Sequence, residues 1–291
     1  MLSRITAITA ACLALAAPAS AGEGVVALLA QAGGAYMEGF SAFQAAYGSE
    51  VKYFDVSRGK PDLPAGTRTV VAFGGRAASS ELPPNVNLVY AMTPGLFIKP
   101  RGGDGKTVKV ALIPNFDVTL AALRRLQPDM RRLRIFWMAP ELGRFSDLVK
   151  SEGAKQGIEV THVRVDYAED LPALLRRSLG GTDAIWLPPD PLLITAETIM
   201  MFKEFSAGNA IPFYASSKGL ARDGAVASVG VSFAVMGVTA AETVKSLETG
   251  ANPPALIFPR KVEIAVNASA ARRCGLQLPA EAVKAADYFY P

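Results

Sequence analysis

Apolar runs of four to seven residues recur along the chain, separated by stretches in which apolar positions return every three or four residues. The short runs fall at 25–30, 51–56, 69–73, 88–92, 108–113, 133–138, 159–165, 184–187, 212–215, 226–229 and 261–266. Helical spacing occupies 35–47, 118–126, 145–156, 171–179, 196–207, 235–248 and 280–286. Strands that are apolar on both faces and alternate with helices predict parallel sheets covered on both sides. That many strands exceed the ~4–6 usual for one open sheet. The pattern therefore predicts two α/β lobes.

The strand ends share a chemistry. The first run passes into Gln31-Ala32-Gly33-Gly34, the third into Gly74-Gly75-Arg76, and the fourth into Thr93-Pro94. The run ending at Leu187 meets Pro188-Pro189-Asp190-Pro191, and the run ending at Ala215 meets Ser216-Ser217. In open parallel sheets ligands bind beyond the carboxyl ends of strands, where helix N-termini offer free N–H groups and small residues let a ligand approach the backbone. Proline fixes φ and donates no hydrogen bond, so the 188–191 loop is stiff. Asp190 in it reads either as an anion lining a cleft or as an Asx turn or cap for the helix that follows. Tyr36, Phe40, Phe43 and Tyr47 recur at helical spacing, which places Phe40 and Phe43 in the core and Tyr36 near the helix start. Trp137 and Trp186 lie within strands and read as core.

Composition narrows the classes. Residues 1–21 carry one early positive charge, Arg4, an apolar stretch at 5–17 and the small-residue ending Ala19-Ser20-Ala21, the layout of a cleaved export signal. The expected compartment is the periplasm. Cleavage would remove Cys12 and leave Cys274 alone, which excludes an intrachain disulfide and cysteine-pair metal sites. The formal net charge of +4 is scattered rather than gathered into a basic stripe, so nucleic acid is not an expected partner.

Catalytic machinery is not visible. Residues 100-PRGGDGKT-107 approach a phosphate loop, but Pro100 stands where the first glycine belongs and a strand follows where a helix is required. His162, the single histidine, sits mid-strand away from any nucleophile. Ser216-Ser217 lacks the nucleophile elbow. Cys274 follows two arginines but has no nearby base. We expect no enzyme activity, no metal and no cofactor.

The run 184-AIWLPPDPLLITAETIMMFKEFSAGNAIPFYASSKGLARDGAVASVGVSFAVMGVTAAETV-244 resembles the substrate-binding proteins of ABC importers, in the branch of tryptophan/tyrosine-type receptors. It carries in order the family's PPDP loop, a helix, Ile-Pro-Phe, a serine-rich turn and Gly-Ala-Val-Ala-Ser-Val-Gly-Val before the next helix. Residues 261-KVEIAVNASAARRCGLQLP-279 are similar to the family's ending. The chain departs from the family in a shorter segment at 95–106.

The resemblance implies the type I periplasmic binding protein fold: two doubly wound parallel-sheet lobes joined by three hinge segments. Chain order assigns 24–113 and 226–251 to lobe one, and 114–225 and 252–291 to lobe two. The implied function is capture of a small organic solute, such as an aromatic amino acid, between the lobes. Delivery to the membrane permease of an ABC importer follows, or, alternatively, signalling to a membrane sensor. The protein is expected to act as a monomer. The implied contacts are Gln31, Gly33, Gly34, Tyr36, Gly75, Arg76, Thr93, Asp190, Ser216, Ser217 and Phe233. In this scheme backbone N–H groups of the glycine turns and Thr93, with the serine hydroxyls, receive a carboxylate. Asp190 receives the ammonium, and Tyr36 or Phe233 stacks on a ring.

Overall fold

The computed structural model describes residues 24–291; the expected export signal lies outside them. The strands are β1 (Val25–Leu29), β2 (Lys52–Asp55), β3 (Thr69–Phe73), β4 (Asn87–Ala91), β5 (Thr107–Val110), β6 (Arg132–Trp137) and β7 (Glu159–Arg164). They continue as β8 (Ala184–Leu187), β9 (Phe213–Ala215), β10 (Ala227–Gly230), β11 (Leu256–Ile257), β12 (Glu263–Asn267) and β13 (Tyr288–Tyr290). The helices are α1 (Gly34–Tyr47), α2 (Gly75–Ala78), α3 (Phe116–Leu126), α4 (Pro140–Gly143), α5 (Ser146–Lys155) and α6 (Leu171–Arg176). The rest are α7 (Ala196–Asn209), α8 (Lys218–Asp223), α9 (Phe233–Glu248), α10 (Ala268–Arg273) and α11 (Ala280–Lys284).

Two sheets form, as the periodicity predicts. One has the order β11-β5-β4-β3-β1-β2, and the other β13-β12-β10-β9-β8-β6-β7. The first sheet is parallel throughout, and the second departs only where β12 runs antiparallel to β10. β1, β3 and β8 are buried along their whole length, which explains their unbroken apolar runs. In each sheet the second strand of the lobe lies outside the first, so the order reverses between β1 and β3 and between β6 and β8. Such reversals leave crevices at the carboxyl ends of the strands. This is the type I periplasmic binding protein architecture.

The two lobes exchange segments differently from the expected division. Chain order places the run 226–229 in lobe one. Its strand β10 instead pairs with β9 and β12 of the second sheet, Ala227 opposite Tyr214 and Val266. The crossing follows β10, at Val231-Ser232, after which α9 packs on lobe one. There Met236, Ala240, Ala241 and Val244 join Phe43, Phe73 and Val89 in one core cluster. The backbones of α1 and α9 touch: a Cβ on Gly237 would lie 2.0 Å from the Gly39 carbonyl oxygen. The segment 252–257, assigned to lobe two, returns β11 to the first sheet beside β5, and the chain crosses back only before β12. The first crossing follows β5 and precedes α3, whose Phe116, Leu120 and Leu123 join the core of the second lobe. Hydrogen-bond partners of a strand are not encoded in its own apolar pattern, which is why two crossings are displaced.

Candidate functional site

A cavity of about 660 Å³ opens between the lobes at the carboxyl ends of the second sheet. Ser216, Ser217 and Lys218 enter it from the turn after β9, and Val231, Ser232 and Phe233 from the crossing into α9. Leu112 of the first crossing and Pro189 of the proline loop close its inner end, and Glu263, Tyr288 and Tyr290 form its outer edge. The turns exist because each following helix is capped locally. The Ser217 hydroxyl accepts from the Leu220 N–H at 3.4 Å, and Ser232 from the Val235 N–H at 3.2 Å. Lys218 is tied at the rim, donating to Glu263 at 3.2 Å and to the Tyr288 hydroxyl at 3.0 Å. The bond to Tyr288, with Glu263 behind it, raises the pKa of Lys218 above its ordinary value.

A second, narrower pocket of about 30 Å³ shares the Leu112 and Pro189 walls and continues the cleft into the seam between the lobes. Thr93, Gly95, Phe97 and Lys109 line it from lobe one, Glu141, Leu142 and Phe145 from lobe two. Lys109 is only 5% exposed. Its ammonium donates to the carbonyls of Leu96 at 2.6 Å and Thr93 at 3.2 Å and lies 3.7 Å from the centre of the Phe97 ring. Burial lowers its pKa from 10.5 to about 8, and Glu141 pulls weakly the other way. The Thr93 hydroxyl is fully buried and has no hydrogen-bond partner.

Of the residues singled out in the sequence, Ser216, Ser217 and Phe233 meet in the larger cavity and Thr93 lies in the pocket beside it. Gln31, Gly33, Gly34, Tyr36, Gly75 and Arg76 lie at the ends of β1 and β3 and are not among the lining residues of either space. Gly33 and Gly34 begin α1 without a side-chain cap, Gly34 at φ 53°, and the space where their Cβ atoms would stand is open. Arg76 is exposed. Tyr36 packs on Gly74, where a Cβ would lie 2.6 Å from its ring and φ is 98°, so glycine alone fits there.

Asp190 is a correction. It is fully buried and faces its own lobe. Oδ2 accepts the N–H groups of Met138 at 2.5 Å and Ala139 at 2.8 Å, and Oδ1 those of Leu192 at 2.9 Å and Leu193 at 3.1 Å. The Asx-turn alternative is the one realised, and it also ties the proline loop to the end of β6 across the crevice between β6 and β8. With four backbone donors on its two oxygens, the carboxylate presents nothing to a ligand ammonium.

Other sequence features take structural places. Thr107 opens β5 rather than a helix, so the phosphate-loop look-alike is a turn. Cys274 ends α10, 3% exposed, and burial raises its thiol pKa. His162 lies in β7, and burial lowers its pKa to about 4, helped by Lys150. Among the described residues no group of histidine, cysteine or carboxylate side chains is arranged to hold a metal ion, and no helix is long and apolar enough to cross a membrane. Sequence reasoning missed Lys109 and Glu141. Lys109 falls in the alternating run Thr107-Val108-Lys109-Val110, which reads as a strand with a wet face. A lysine inside a sheet covered on both sides is itself the anomaly that would have drawn attention.

Comparison with known proteins agrees with this fold. The family profile described as ABC transporter substrate binding protein matches residues 116–289. No curated protein sequence matches the chain at a significant level. Among solved structures, an ABC domain from Streptococcus pneumonia in complex with L-Trp is 16% identical, with TM-score 0.58, covering 92% of this chain and 99% of its own. A ligand-free, open substrate binding protein with adhesive properties from Clostridium difficile is 14% identical, with TM-score 0.65, covering 91% and 98%. A conserved domain protein from Vibrio cholerae is 14% identical, with TM-score 0.57 and the same coverage of 91% and 98%. At these identities the structures share the fold, and the profile, which spans more than half of the sequence, gives the kinship: the chain belongs to the ABC transporter substrate-binding protein family.

Proposed function

We propose that this protein is an exported receptor that captures a small organic solute between its lobes and delivers it to the permease of an ABC importer, and that the solute is an amino acid, aromatic ones foremost. The observation that carries the reading is the 660 Å³ cavity, walled by strand-end turns of one lobe and by the start of α9 on the other. Its size is that of small-molecule sites, roughly 300–1,000 Å³, and it combines apolar walls with a few hydroxyls, as such sites do. Phe233, Tyr288 and Tyr290 supply faces on which a ring stacks. The uncapped N-terminus of α1 adds free N–H groups from lobe one when the lobes close. The L-Trp bound by the Streptococcus pneumonia relative points to the same ligand class.

The work is done by grip. Solute contacts made by both lobes exist only in the closed form, so binding shifts the population toward closure. Three short crossings absorb the motion, and the closed pair of lobes presents the surface that a permease reads. Thermal-shift measurements against the common amino acids, sugars, nucleosides and carboxylates test the proposal. An aromatic amino acid should raise the melting temperature in a concentration-dependent way. Stabilisation by sugars alone would discard the amino-acid assignment, and stabilisation by none of these solutes would discard the receptor.

A further inference from the structure

We infer that the seam pocket beneath Pro189 is a zwitterion subsite, in which Lys109 and Thr93 of lobe one receive a carboxylate and Glu141 of lobe two receives an ammonium. The inference rests on the receptor function proposed above and assigns the part of the cleft that recognises the solute's head group.

Lys109 is the first observation. It lies within β5, 5% exposed, and its hydrogen bonds go to two carbonyl oxygens rather than to an anion. A buried charge is normally paired, because leaving water is costly and carbonyl dipoles recover only part of that cost. Neither carbonyl carries a charge, so an anion brought within reach of the ammonium would be held strongly. Thr93 is the second, independent observation. Its hydroxyl is fully buried and unpartnered, on a residue that lines the same pocket. Buried hydroxyls are almost always satisfied, so an orphan on a residue that lines a pocket is a candidate donor to a ligand atom.

Glu141 completes the arrangement. It enters the pocket from α4 of the opposite lobe, near enough to act on the charge of Lys109 yet not in ion-pair contact with it. A cation and an anion thus face each other across an opening of about 30 Å³. That space holds a small polar head, not a side chain. A group carrying both charges on neighbouring atoms answers both walls, whereas a simple anion would meet Glu141 unpaired and a simple cation would meet Lys109. The chemistry named is that of an α-amino acid. Because Leu112 and Pro189 are shared with the larger cavity, a head group in the seam directs its side chain toward Phe233 and Ser216. Asp190, the carboxylate that sequence suggested for the ammonium, serves here as a positioning residue: its bonds to Met138 and Ala139 fix the chain that leads into α4 and Glu141.

The test is titration calorimetry on the full exported chain with the tightest binder among the twenty common L-amino acids, its carboxamide and its des-amino acid. In the unaltered protein each analogue should bind at least about 50-fold more weakly, the discrimination expected when a buried polar group loses its partner. In K109M the acid-to-amide ratio should collapse to under about 5-fold while the amino-to-des-amino ratio stays, and in E141Q the reverse should hold. Glu141 is partly exposed, so E141Q remains informative even if K109M folds poorly. Ratios unchanged in E141Q, or both ratios falling together in each variant, would overturn the subsite. If no amino acid binds but another solute does, the receptor stands and the subsite falls. If no solute binds, the receptor reading has failed first.

Discussion

Asp190 and Ala139 are joined across the crevice of the second lobe: Oδ2 of the aspartate accepts the Ala139 N–H at 2.8 Å. With Met138, Leu192 and Leu193 on the same carboxylate, one side chain satisfies four backbone donors from two loops. An N–H left unpaired inside a protein costs roughly 1–3 kcal/mol. Asp190→Ala is therefore expected to lower unfolding stability by roughly 3–5 kcal/mol, at the upper end of single substitutions. Asp190→Asn, which keeps one acceptor oxygen, should lose about half as much. Chemical denaturation of both variants checks this; a loss below that of an ordinary surface change in Asp190→Ala would mean that these bonds are not made.

The helix pair that anchors α9 to lobe one makes a second expectation. A Cβ at Gly237 would lie 2.0 Å from the Gly39 oxygen and 2.9 Å from the Phe43 nitrogen, both backbone atoms that cannot swing aside. Gly208, near the end of α7, has open space around the same position. Alanine at a helical glycine gains about 1 kcal/mol of propensity where it fits, and overpacking costs about 1–3 kcal/mol or more where it does not. Gly208→Ala should thus raise the melting temperature and Gly237→Ala should lower it. Equal shifts of one sign would show that α9 does not rest on α1.

Most of the fold was legible because parallel strands buried on both faces leave long apolar runs, and β1, β3 and β8 are of that kind. What escaped was partnership. The two-residue strand β11 and the tyrosine-rich β13 are too short or too polar to show a period, and β10 carries no mark of which sheet it joins. The site divides along the same line. Ser216 and Ser217 were visible as small residues at the close of a strand, a local signal, whereas Phe233 was implied only by the resemblance. Asp190 was equivocal, since a carboxylate among prolines looks alike whether it faces a cleft or its own backbone. Lys109 was passed over: a lysine in an apolar run is an anomaly, but its burial depends on what packs against β5.

His162 contributes to the acid limb of stability. Neither ring nitrogen completes a hydrogen bond, although the backbone of Ser146 approaches and partly offsets the burial. Its folded pKa of about 4 lies below the ordinary 6.5, so between those values the unfolded chain binds the extra proton. Stability then falls as pH drops from 6.5 toward 4 and is no longer affected by this residue below that. His162→Phe should flatten that part of the pH profile, measured as the difference in melting temperature between variant and parent. A difference that stays constant with pH would show that the imidazole is hydrated.

Thr93 separates ligand recognition from stability. Its buried hydroxyl has no partner in the protein alone, so Thr93→Val removes an unsatisfied group while keeping the shape of the side chain. The ligand-free variant is expected to be as stable as the parent or up to about 1 kcal/mol more so. If the hydroxyl meets a solute carboxylate, the same change should weaken binding by about 10-fold. Calorimetry and thermal unfolding together read the two effects, and a variant that binds as tightly as the parent would remove Thr93 from the site.

Lys109 gives the alkaline counterpart. Its ammonium is buried beside the carbonyls of Thr93 and Leu96 and the face of Phe97, with Glu141 opposite and Arg144 on the same ring at 5.7 Å. Burial lowers the folded pKa to about 8 from 10.5. Between these values the unfolded chain keeps a proton that the folded chain has released, so stability rises with pH across this window and the burdened, charged state lies below it. Relative to Lys109→Met, the parent should gain up to roughly 3 kcal/mol from pH 7.5 to 10.5. Solute affinity should move the other way, declining above pH 8 as the ammonium that would hold the carboxylate discharges. The comparison of parent and variant cancels the titration of tyrosines and other lysines common to both. Opposite slopes for stability and affinity are what a buried cation awaiting an anion requires; parallel slopes would assign Lys109 to the packing of the lobes alone.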